Sequence, residues 1–182
     1  MSSLAWFDRE FSFGKPAELL PFFLERLSGT PIRIVHKVKG LEEDPLGARL
    51  EGKWSVKEHV GHLVEVDQIA NRRIDEMLAG QEVMSPAVFE PRDYTSWPIL
   101  HVIEFFADGR QKNIGKYESI AKEKLLCRSL HPRLKLNMTP IDLAWFDAEH
   151  DDHHLLKMSE IIGKLRSISQ LDKGQGTTQP IK

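Results

Sequence analysis

Apolar residues recur along this chain at intervals of three and four over long stretches, with no sustained alternation, so the pattern predicts helices and no extended sheet. Leu19, Leu20, Phe23, Leu24 and Leu27 mark the first helix, with Pro16 suited to its opening turn. Ser28-Gly29-Thr30-Pro31 predicts a break, with Thr30 as N-cap and Pro31 as the first residue of a resumed helix. Ile32, Val35 and Val38 carry that piece to Gly40, and the two pieces together can form one kinked helix. A second long helix is expected after Ser55, whose side chain pairs with Glu58 as a capping box. Its apolar side holds Val56, Val60, Leu63, Val66, Ala70, Ile74 and Met77, and it stops near Gly80. The third is expected over Ile99–Leu126, weakened in its middle by Gly109 and Gly115. The last begins near Thr139-Pro140 and runs to about Leu171, with Leu143, His150, His154, Met158, Ile161, Leu165 and Ile168 along one side.

The stretches between these helices complete the outline. Met1–Phe13 forms an arm whose Trp6, Phe7, Phe11 and Phe13 should pack on the body. Leu41–Lys53 is a polar connection, while Gln81–Pro98 and Cys127–Thr139 are long enough to suggest a task, such as covering a site. The expectation is an all-α, four-helix bundle in a single domain, residues 1–171, followed by a polar, disordered tail, residues 172–182.

Composition narrows the function classes. At 182 residues and 41% hydrophobic content, the chain can bury a substantial core. The net charge of −2 offers no electrostatic case for nucleic acid, which wants a basic surface. The lone Cys127 cannot make an internal disulfide, which suits a reducing compartment. The first residues do not resemble a signal peptide, and no apolar run is long enough for a membrane span. A cytoplasmic location and no membrane partner are therefore expected.

Candidate chemistry concentrates in Ala148–Met158, AEHDDHHLLKM, which holds three of the eight histidines. His150 and His154 stand one helical turn apart on the core-facing flank, where two imidazoles can approach one divalent ion. They can equally be core-edge histidines bonded to backbone or to neighbouring acids. His153 points to the side of Glu149, Lys157, Glu160 and Lys164, which should face water. The spacing mimics the zincin HExxH motif only superficially, because that motif needs a ligand downstream and little is available there. The helix carrying His59 and His62 is the better donor of a third ligand, and periodicity alone favours His59, the nearer to the apolar centre. His131-Pro132-Arg133 can either orient an anionic substrate or fasten a loop. His36 and His101 read as structural or exposed, Trp54 and Trp145 as core aromatics, and Arg72, Arg73 and Arg110 as surface charge by default, with facing the bundle mouth as the alternative.

Taken together, GKWSVKEHVGHL (Gly52–Leu63) and the terminal AEHDDHHL resemble the DinB/YfiT-like superfamily. SGTPIRIVHKVKGL and HPRL at His131–Leu134 add to the likeness, which spans about Phe7 to Leu165. It implies a four-helix bundle holding a divalent metal through three histidines, which in this sequence are His62, His150 and His154. His59 is then either a support behind the site or a core histidine. Three imidazoles favour zinc or nickel, with iron or manganese also compatible, and leave coordination positions open. Glu58, Glu65, Asp147 and Asp151 are candidate acceptors for the outer ring N–H groups, though each also reads as a solvated or capping acid. The resemblance implies a metal-dependent hydrolase or a thiol-dependent transferase acting on a small molecule, with a low-molecular-weight thiol as a possible second substrate and a homodimer as the assembly. The alternative is a non-catalytic metal-binding or stress-response interaction protein.

Overall fold

The computed structural model describes residues 4–90 and 92–175, with side chains as far as residue 168. Four long helices, α1 (Leu20–Val38), α3 (Val56–Leu78), α4 (Ile99–Glu118) and α5 (Pro140–Gln175), form the bundle, and a short α2 (Glu43–Gly47) sits in the first connection. Around the bundle the order is α1, α4, α3, α5, since α3 packs on α4 and α5, and α1 on those same two helices. The connection from α1 to α3 therefore crosses the bundle, as does that from α4 to α5.

Local chemistry sets the helix ends much as the pattern predicted. Ser55 caps α3 by accepting the N–H of Glu58, whose carboxylate accepts the Ser55 N–H in return. Gly80, at φ +76°, turns the chain after α3 in a conformation that other residues adopt reluctantly. Thr139 and Asp142 form the equivalent reciprocal cap at the start of α5. Gly61 has a steric task, because a Cβ there would overlap the ring of buried Tyr94.

Several expectations are corrected. The break at Ser28–Pro31 does not occur, and α1 runs through Pro31 as one helix. Its second half turns Ile34 and Val38 inward, while Ile32 and Val35 are exposed. α4 ends at Glu118 rather than Leu126. α5 extends to Gln175, so the first residues of the expected tail are helical, and residues 176–182 lie outside the described residues. Ile168 is exposed rather than core-facing. A two-stranded antiparallel pair, β1 (Ser129–Leu130) and β2 (Asn137–Met138), braces the connection before α5, and Val83 bridges to Leu130.

The interior consists of two apolar clusters with a polar layer between them. One gathers Leu27, Ala70, Ile74, Tyr117, Leu143 and Ala148; the other gathers Ile34, Val60, Leu63, Phe106, Leu155 and Met158. Between them on their respective helices stand Thr30, Asp67, Arg110 and Asp151, all buried. Arg110, expected at the surface, is fully buried. Its Nε donates to both oxygens of Asp67 on α3, and its Nη1 and Nη2 donate to Asp151 on α5. Nη1 also donates to the Leu27 carbonyl on α1 at 3.0 Å. That carbonyl is the one left without a helical donor by Pro31 four residues later. Thr30 completes the layer by donating to Asp151 at 2.6 Å. The sequence signal was available: Arg110 lies on the same stripe as Phe106 and Ile114.

Arg110→Ala should destabilise the fold by about 3–5 kcal/mol, because it strands two buried carboxylates and a carbonyl. Urea unfolding checks this, and a loss below about 1 kcal/mol, the worth of a surface pair, would contradict the structural role of the layer.

Candidate metal centre

Where α3 packs on α5, His62, His150 and His154 come together. One ring nitrogen from each lies within 4.8 Å of the other two, and among the described residues this group includes no carboxylate or thiol. Nε2 of His154 stands 3.2 Å from Nε2 of His150. Two imidazole nitrogens bound to one tetrahedral ion at roughly 2.0–2.1 Å would be about 3.3 Å apart, so this pair fits a shared divalent ion. His154 and His150 are held by α5, one turn apart, while His62 follows the capped first turns of α3.

His59, which periodicity favoured as a ligand, takes a supporting position. Its Nδ1 lies 2.8 Å from Nδ1 of His154. If His154 donates from Nδ1, its Nε2 is left bare for coordination, and His59 carries its own proton on Nε2. The Glu65 carboxylate lies 4.0 Å from Nδ1 of His62, within ion-pair range but beyond a hydrogen bond. Burial raises the Glu65 pKa. Glu58 is a capping acid paired with Arg49. Asp147 and Asp151, read as solvated or capping acids, are instead buried. Asp151 belongs to the Arg110 layer.

Burial holds these imidazoles neutral. His59 is lowered to about 4, first by desolvation and then by the proximity of His62, and His62 is lowered to about 4 by desolvation. His150 and His154 are pushed well below the ordinary histidine range, again chiefly by burial. A neutral imidazole is the form that binds a metal. His153 is half-buried rather than freely exposed, because Trp6 of the arm covers it at 5.7 Å between centroids.

Aromatics close the surroundings. Trp6 is buried and meets His150 edge-on at 4.8 Å and Phe146 at 5.0 Å. Trp54, expected in the core, is 42% exposed and lies parallel to His154 at 6.2 Å, with His62 at 5.0 Å. Trp145 is half-buried against Phe11 and Phe13. His36 and His101 are exposed, the latter stacked on Trp97.

The histidine cluster stands between two cavities. His62 and His150 line one of about 430 Å³. His59, His153 and His154 line another of about 440 Å³, together with Trp54 and several lysines. Both long connections reach the first cavity, Gln81–Pro98 through Pro86, Ala87 and Phe89, and Cys127–Thr139 through His131, Pro132 and Arg133. His131 fastens its own loop, its Nδ1 accepting the N–H groups of Arg133 and Leu134. Arg73 also lines this cavity and is buried rather than on the surface, while Arg72 is exposed and donates to the Pro86 carbonyl. Arg73's place on the Ile69, Ala70 and Met77 stripe of α3 was the signal for its burial.

The pH dependence of the metal-stripped fold tests this burial. The unfolded chain takes up protons on His59 and His62 near 6.5, whereas the folded chain refuses them until about 4. Within that window the unfolded state holds more protons, so stability should rise with pH and fall on acidification. Urea midpoints should drop between about pH 7 and about pH 5, and His59→Phe should flatten the slope. An unchanged midpoint would contradict the buried, neutral state of the cluster.

Comparison with known proteins agrees with the fold. Residues 26–158 match the family model of the DinB superfamily. YfiT from Bacillus subtilis, described as a probable metal-dependent hydrolase with an unusual four-helix bundle topology, superposes with a TM-score of 0.74. The superposition covers 86% of this chain and 93% of that one, at 15% sequence identity. No curated protein matches the chain by sequence. No described helix is long and apolar enough to cross a membrane. With a match over most of its length and a bundle of the corresponding architecture, this chain belongs to the DinB superfamily.

Proposed function

We propose that the chain is a metal-dependent hydrolase of small molecules, with His62, His150 and His154 as the ligands of one divalent ion. One observation carries this reading: three neutral imidazoles converge with no fourth protein donor among the described residues, beside a cavity of about 430 Å³. A structural site is usually closed by four protein ligands, whereas a catalytic one keeps a position open. The all-nitrogen set suits zinc or nickel first, with iron or manganese compatible. A bound ion would supply Lewis acidity and an activated water at neutral pH.

The chain's own residues supply the rest. His59 orients His154 through their shared Nδ1 contact and selects the tautomer that leaves Nε2 bare. Trp6 and Phe89 pack on His150 and His62 and keep bulk water from that side. The two long connections roof the cavity and bound the size of the substrate. YfiT's description as a probable metal-dependent hydrolase supports hydrolysis as the reaction class. Thiol-dependent transfer, a cytoplasmic location and a homodimer belong to the same proposal as secondary expectations.

Titrating zinc or nickel into metal-stripped protein should raise the melting temperature by mass action, an effect of about 2.7 kcal/mol at a hundredfold excess over Kd. His150→Ala should abolish that increment while leaving the helical content intact, since the core does not depend on the ion. His59→Ala should weaken metal binding by about ten- to a hundredfold without abolishing it. Hydrolysis of a panel of activated esters and amides by the reconstituted protein tests the reaction class. Equal stabilisation of wild type and His150→Ala would remove His150 from the site, and metal binding without turnover across the panel would favour the non-catalytic alternative.

A further inference from the structure

The cavity beside the histidines contains a buried guanidinium with no hydrogen-bonded partner among the described residues, though the charge of Asp147 acts on it. Arg73 is 6% exposed, yet among the described residues it makes no hydrogen bond or ion pair, and its Nε is buried and unsatisfied. Asp147, 5% exposed and one turn before His150 on α5, likewise has a buried, unsatisfied Oδ2. Both residues line the same cavity as His62 and His150. Unmet polar groups in an interior are costly, and far more so when one is a guanidinium. Arg110 offers the contrast, since that guanidinium is buried still more completely and is fully engaged by two carboxylates and a carbonyl.

We propose that Arg73 is the recognition site for a carboxylate on the substrate, whose apolar body lies against Trp6, Phe7 and Phe89. The guanidinium fork matches the two oxygens of a carboxylate. Asp147 is pushed up to about 8 by burial and then by the charge of Asp67, so near neutrality it carries a proton to donate and does not repel an anion. His131 lines the cavity too, and with Nδ1 occupied as an acceptor it has a proton on Nε2 to offer. A single arginine beside an acid balances one negative charge better than the two of a phosphate monoester. The other basic group at this cavity, Arg133, lies over the Phe7 ring at 3.3 Å. Val66, Ile69 and Ala70 separate His62 from Arg73 along α3, so the cavity has a metal end, a smooth apolar wall and an anion end. The inference rests on the metal-site reading for which end of the substrate reacts, but anion recognition by Arg73 is separable from it.

The test is calorimetric titration of the full zinc-loaded chain with 4-phenylbutyrate and with its neutral counterpart 4-phenylbutyramide. Charge-assisted hydrogen bonding predicts a preference for the acid of about ten- to a hundredfold. Arg73→Gln should bring the two ligands to equal affinity, and Arg73→Lys should retain part of the preference. His62→Ala, which loses the metal in the present reading, should keep the preference for the acid, so that failure of the metal site and failure of the anion site are told apart. Removing a buried guanidinium that has no hydrogen-bonded partner should leave the ligand-free Arg73→Gln protein melting at or above the wild-type temperature, whereas a structural arginine would lower it. The proposal is overturned if the wild type shows no binding or no preference. It is equally overturned if the preference survives Arg73→Gln, or if it vanishes on stripping the metal, which would put the carboxylate on the ion.

Discussion

The Arg110 guanidinium touches all four long helices of the bundle, and the remaining geometry depends on it. It is itself on α4, and it reaches Asp67 of α3, Asp151 of α5 and the Leu27 carbonyl of α1. Burial works against its charge, but the two carboxylates more than restore it and raise its pKa. Such a buried cluster is weak evidence for net stability, because desolvating three charges offsets much of their attraction. What it supplies is register. Apolar helices can slide and rotate against one another at modest cost, whereas a charge displaced from its partner inside the core is severely penalised. The layer also explains how α1 tolerates Pro31, since the carbonyl that the proline frees is the one Arg110 occupies.

From that register the histidine cluster follows. Asp67 and Asp151 fix the rotation of α3 and α5 about their axes, and His62, His150 and His154 are carried round to the seam between those helices. Asp151 is next to His150 in sequence, so the same helical turn that anchors the core also aims a candidate ligand. The N-terminal arm then covers the outer side, with Trp6 against His150 and Arg9 paired with Glu149 at 2.6 Å. Neutral imidazoles are the result of this burial, and neutrality is the state that metal coordination needs.

Polar groups buried within one turn of each other on α5 are treated differently. In the Arg110 layer every charged group has a partner, as a core requires. Around the cavity Arg73 Nε, Asp147 Oδ2 and His150 Nδ1 have none among the described residues. Unsatisfied groups are the exception in folded proteins, and three of the five found among the described residues stand beside this one cavity.

The helical pattern, the capping box at Ser55–Glu58 and the i, i+4 pair His150/His154 were legible in the sequence because each depends on residues a few positions apart. Between His59 and His62, periodicity favoured His59, because it lies nearer the apolar centre of its helix. The packing of α5 instead sets His59 against Nδ1 of His154 and brings a ring nitrogen of His62 within 4.8 Å of those of His150 and His154. The sequence left open whether α1 breaks at Pro31 or continues as one helix, because the donor that replaces the lost hydrogen bond comes from a residue 83 positions away. Arg73 and Arg110 sat visibly on apolar stripes, but a stripe does not say whether a buried arginine meets carboxylates or an empty cavity. That distinction is set by what the other helices bring to the same place, which is a property of tertiary structure alone.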